Sequence, residues 1–219
     1  MSGPTGNVQL DHLVIVAPSR GAGNAWVEDL LGVPLQDGGE HTFMGTHNAL
    51  LRLGEDRYLE VIAVNPGAET PGRQRWFGLD EMSPEAGPRL ATWVPRVDAL
   101  AAVPEGVRRQ MGEIVPASRG SLSWLITIRP DGSMADNGIT PMLIEWRSEQ
   151  RPAQMLEDRG CTLVHLEGFH PDAGRIADLL QSVGLEHAVT VNPLAQWRPP
   201  YLVAHIKTPL GLRAIGGPA

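Results

Sequence analysis

One cysteine, Cys161, stands in 219 residues. A lone thiol forms no internal disulfide and builds no thiolate cluster, so zinc-finger, iron–sulfur and disulfide-scaffold readings fall away and a reducing compartment is expected. Lysine is equally scarce. Of 18 basic residues only Lys207 is a lysine, and no glycine loop ends in Gly-Lys-Ser/Thr, which excludes a Walker-type phosphate cradle. The net charge of −7 argues against a polyanionic partner, because nucleic acid needs a dense cationic footprint. Long apolar runs are missing too: residues 13–17 form a short one, far below the roughly 20 that cross a bilayer. Residues 1–6 carry no basic stretch followed by an apolar one, so no secretion signal is read. A cytoplasmic protein without membrane or nucleic-acid partners is expected. No Gly-x-Ser-x-Gly elbow offers an activated serine, and Gly21-Ala22-Gly23 has Trp26 where a dinucleotide loop needs its third glycine.

A repeat fills most of the chain. Residues 10–16 read as a strand, residues 24–31 carry apolar positions at helical spacing and end on Gly32, and strand-like runs follow over 41–46, 48–53 and 58–64. This β-α-β-β-β order begins again at 90–94, passes a short helical stretch near 98–103, and closes with runs over 121–129 and 141–146. Tyr58-Leu59-Glu60 can be laid on Leu143-Ile144-Glu145. A third, incomplete copy is read from 161–166, a helix over 173–180, and runs over 201–206 and 210–215. Residues 65–87 and 129–138 are proline- and glycine-rich loops, of the kind that often border a site. The expected fold class is α+β. Two βαβββ modules, 9–65 and 89–148, form one domain over 9–150, and a βαββ-like extension covers 151–219.

Leu-Asp-His12-Leu-Val-Ile, Gly-Gly-x-His41, Gly45-Thr46-His47-Asn48, Tyr58-Leu59-Glu60, Trp76-Phe77-Gly78 and Leu143-Ile144-Glu145-Trp146, in this order, resemble the glyoxalase-like branch of the vicinal oxygen chelate superfamily. The resemblance implies paired modules whose mixed sheet curls into a cup with helices outside, metal ligands on the first and last strands of each module, and frequent assembly as a homodimer. It implies a scaffold with several chemistries: lyases, isomerases, ring-cleaving dioxygenases and metal-free drug-sequestering proteins of the bleomycin-resistance type. Function therefore rests on the site.

By alternation, His12 shares a strand face with Leu10 and Val14, and Glu60 with Tyr58 and Ile62. A buried carboxylate among apolar neighbours needs a partner. In the superfamily's pattern His12, Glu60 and Glu145 fall on ligand positions, while the fourth position is Thr92. Such an oxygen-rich set suits manganese, iron(II), magnesium or nickel, with zinc as a further candidate, and leaves open positions for a chelating substrate. Glu60 and Glu145 are then the candidate catalytic carboxylates. His41, Thr46, His47, Asn48, Trp76 and Trp124 are the candidate substrate contacts, and Trp146 faces away from Glu145 by parity. The competing reading is a metal-free protein that holds an aromatic compound, its carboxylates satisfied by arginines such as Arg57 and Arg147.

Overall fold

The computed structural model describes residues 8–218; residues 1–6, read above for a secretion signal, lie outside them. The chain opens with β1 (Gln9–Val16), α1 (Arg20–Leu31), β2 (Gln36–His41), β3 (Thr46–Arg52) and β4 (Tyr58–Val64). It repeats the order with β5 (Arg89–Arg96), α2 (Glu105–Met111), β6 (Glu113–Arg119), β7 (Leu122–Ile128) and β8 (Ile144–Trp146). These strands make one sheet in the order β2-β3-β4-β1-β5-β8-β7-β6. Each half therefore has the same internal order. They meet where β1 runs antiparallel to β5, while β1 and β4 run parallel within the first half.

Local chemistry explains the first module. Ser19 caps α1 by accepting the Ala22 N–H, and Gly32 ends it in a left-handed conformation (φ 73°) that other residues adopt only at a cost. Gly23 lets the helix lie directly on β4, since a Cβ there would sit 2.4 Å from Cγ1 of Val61. Val27 and Leu31 then bury against Leu13, Ile15, Leu59 and Val61 on the helix side of the sheet. Full burial of each such side chain contributes about 1.5–3 kcal/mol. The opposite, concave face collects Val14, Val16, Ile62, Ile126 and Ile144 beneath Trp76, Phe77 and Trp124.

Three sequence expectations are corrected. Residues 41–46 are not a strand: β2 ends at His41 and a 3-10 turn over Thr42–Met44 leads through Gly45 (φ 58°) into β3. The second module has one strand more than expected, because β6 contains Pro116, which only an edge strand tolerates. The carboxy-terminal unit, β9 (Thr162–His170), α4 (Ala173–Ser182), β10 (Thr190–Pro193), β11 (Tyr201–Thr208) and β12 (Gly211–Gly216), is not a third copy. Its sheet runs β10-β9-β11-β12, with β10 beside β9 and parallel to it, as a direct crossover through a helix dictates. In the chain between the two sheets, α3 (Pro152–Met155) and the residue after it set Ala153 and Leu156 against Leu50 and Tyr58. The second sheet adds Leu163, Leu166, Ala204, Ile206 and Ile215 to the helix-side core.

Candidate functional site

The concave face carries the polar residues that packing alone does not explain. A register shift between Leu10 and His12 leaves Asp11 as an extra residue in β1. This bulge turns Leu10 into the helix-side core while His12 lines the cup with Val14, which corrects the expectation that all three share one face. Asp11, absent from the sequence-based candidates, is 1% exposed. It accepts a hydrogen bond from His12 Nδ1 at 2.8 Å and one from Trp146 Nε1 at 3.0 Å. A carboxylate on Nδ1 fixes the proton there and directs His12 Nε2 into the cup. There it lies 3.8 Å from Glu60 Oε2. The other oxygen of Glu60 accepts from Asn48 Nδ2. Gly38 makes this contact possible, because a Cβ there would stand 2.1 Å from Asn48 Oδ1.

His41, Tyr58, Trp76, Phe77, Arg119, Trp124, Ile126, Ile144 and Trp146 complete the cleft around His12 and Glu60. His12 stacks on Tyr58 with centroids 4.6 Å apart. Burial first, then the Asp11 and Glu60 carboxylates, push the Tyr58 hydroxyl well above its ordinary range, so it stays protonated. His41 bonds to Thr46 Oγ1 at 3.2 Å and meets Trp76 and Trp124 edge-on. The free space beneath Trp76 and Phe77 is about 20 Å³, room for roughly one water. Both sit on the segment linking the modules, outside the strands of the sheet, and Phe77 holds a strained φ of 59°.

Burial lowers the pKa of His41 from 6.5 to about 4, with Glu60 opposing and Arg119 assisting. The unfolded chain therefore takes up a proton below pH 6.5 that the folded protein refuses until about pH 4. Stability from this group is fully present above pH 6.5 and is lost as pH falls through that window, by about 3 kcal/mol in all. Urea midpoints of the wild type and His41→Phe, compared between pH 7 and pH 4.5, should show a shallower pH dependence in the variant.

The remaining candidates lie elsewhere. His47 alternates away from Thr46 and Asn48 on β3 and faces Glu40 and Arg20, with burial and then Arg20 lowering its pKa. Thr92 donates to the Gly138 carbonyl at 2.9 Å. His165 lies on the exposed face of the second sheet, 6.1 Å from the His205 ring. Glu145 turns to the helix side because Ile144 and Trp146, its strand neighbours, face the cup. Its Oε2 accepts the Leu100 N–H at 2.8 Å and its Oε1 pairs with Arg147 at 2.8 Å. His12, Glu60 and Glu145 are therefore not brought together, and among the described residues no group of three His, Cys, Asp or Glu side chains converges on a cation. This donor set does not fit the expected three-ligand metal centre. Glu145→Ala leaves the buried Leu100 N–H without its acceptor; it should cost about 1–3 kcal/mol in denaturant unfolding and leave metal content by mass spectrometry unchanged.

Residues 10–184 match the family described as Glyoxalase-like domain. No curated protein matches. A hypothetical protein from Staphylococcus aureus superposes with a TM-score of 0.54 at 12% identity, over 96% of this chain and 85% of that one. Methylmalonyl-CoA epimerase from Mycobacterium tuberculosis gives 0.43 at 22% identity, over 63% and 87%. A Mn(II)-bound glyoxalase from Novosphingobium aromaticivorans gives 0.47 at 8%, over 95% and 81%.

Proposed function

Because the chain belongs to the glyoxalase-like domain family of the vicinal oxygen chelate superfamily, we propose that it is an isomerase- or lyase-type enzyme that moves a proton on a small oxygen-bearing molecule held in the cup. The observation that carries this reading is Glu60: a buried carboxylate with one oxygen tied to Asn48 and the other facing His12 Nε2 inside an aromatic cleft. A base needs one free oxygen in fixed orientation and little competing water. Glu60 Oε2 takes a proton from the carbon beside a substrate carbonyl. His12, whose Nδ1 proton is held by Asp11, presents Nε2 as an acceptor that orients a substrate hydroxyl beside Glu60.

The aromatic wall of Trp76, Phe77, Trp124 and Trp146 favours a second reading, a metal-free protein that binds and sequesters an aromatic compound. Proton NMR in D2O over a panel of small 2-oxo and 2-hydroxy compounds separates the two. Loss of the α C–H signal faster than without protein is the expected result. Ligand line broadening with no exchange across the panel would overturn the first reading in favour of the second.

A further inference from the structure

Arg119 ends β6 at the open edge of the curled sheet and lines the same cleft as His12 and Glu60. It is half-buried and, among the described residues, no carboxylate lies within ion-pair distance of it. Asp37 and Glu40 border the neighbouring groove with it, yet Asp37 pairs with Arg20 at 3.1 Å and Glu40 faces His47. The guanidinium is built into place all the same. Its stem lies across Gly39 of β2, where a Cβ would come within 2.9 Å of Arg119 Cδ, and Gly39 holds a φ of 152°. Its charge reaches His41 and Tyr58 in the cleft.

A second donor belongs to a residue that lines the same cleft. Trp76 is 2% exposed and lines the cleft, and its buried indole N–H has no acceptor among the described residues. Buried donors are rarely left unpaired without a function. One cation and one neutral N–H suit the two oxygens of a carboxylate. A phosphate ester would bring a second negative charge beside Glu60 with nothing to balance it.

Resting on the proton-transfer reading above, we infer that Arg119 and Trp76 form a carboxylate subsite, so that the substrate is a small carboxylic acid whose acid group is held at the β6 edge while the carbon beside its carbonyl faces Glu60. The test compares matched pairs, pyruvate with pyruvamide and benzoate with benzamide, by calorimetric titration of the full chain. The variants are Arg119→Met, Arg119→Lys and Trp76→Phe, each checked for folding by near-ultraviolet circular dichroism. The acid of a pair should bind more tightly than its amide. Arg119→Met should weaken the acid at least about tenfold and leave the amide unchanged, with Arg119→Lys intermediate and Trp76→Phe causing a smaller loss. Equal binding of acid and amide, no binding of either acid, or acid binding indifferent to Arg119→Met would overturn the subsite. Arg119-dependent acid binding with no proton exchange in D2O would leave the subsite standing and remove the proton-transfer reading. Exchange on carboxylic acids and neutral carbonyl compounds alike, equally fast in wild type and Arg119→Met, would do the reverse.

Discussion

Glu60→Gln is expected to reduce proton exchange by about 10²- to 10⁴-fold, the range a positioned general base supplies, while leaving ligand affinity nearly unchanged. The substitution is conservative for the fold. Gln retains an oxygen for Asn48 Nδ2 and presents an N–H toward His12 Nε2, so both contacts of the native carboxylate survive. What disappears is the free basic oxygen. Exchange rates in D2O with the best compound of the panel, together with its dissociation constant, check this. Loss of exchange with affinity retained is the expected split, and unchanged exchange would remove Glu60 from the chemistry.

Asp11→Ala should cost about 3–5 kcal/mol, lowering the thermal midpoint by roughly 6–20 °C for a chain of this size. The reason is the number of groups that depend on one carboxylate. His12 Nδ1 at 2.8 Å and Trp146 Nε1 at 3.0 Å both lose their acceptor in a buried site, and Arg96, 3.8 Å away, loses a counter-charge. Asp11→Asn separates the structural from the electrostatic part. It retains one oxygen, costs less stability, and offers His12 an amide N–H that favours the wrong tautomer, so exchange should fall further than stability does. Calorimetric scans beside D2O exchange rates measure both.

Alternation and turn chemistry were enough to read the β-α-β-β-β order of the first module and most of its repeat. Tyr58 to Val64 is a mostly apolar run rich in β-branched residues and preceded by a Gly-Glu-Asp-Arg turn, and Gly32 marks the end of α1. Alternation alone could not say which face of β8 looks into the cup. Ile144 and Glu145 are both buried, on opposite sides of a sheet covered on both faces, so a carboxylate on the wrong face reads the same as one on the right face. The bulge at Asp11 was hidden for a related reason. Period-2 reasoning assumes an unbroken strand, whereas adjacent Asp and His in an apolar run signal that one residue has been inserted. Arg119 was missed because no strand was read over 113–119, where Pro116 interrupts the strand pattern. His12 and Glu60 stood out because polar residues stood where apolar alternation called for something else; His41, Thr46 and Asn48 stood in the motifs that carry the family resemblance, and Trp76 and Trp124 were read as an aromatic wall.

The sheet's near-symmetry conceals an unequal division. The first half contributes His12, His41, Tyr58 and Glu60 to the cleft; the second contributes Trp124, Ile126, Ile144, Trp146 and the cation at Arg119. On the proton-transfer reading the two halves specialise, one for reactivity and one for discrimination. A library randomised at the second half's wall positions would sample new ligands without touching the acid–base pair, apart from Trp146, whose indole also bonds Asp11.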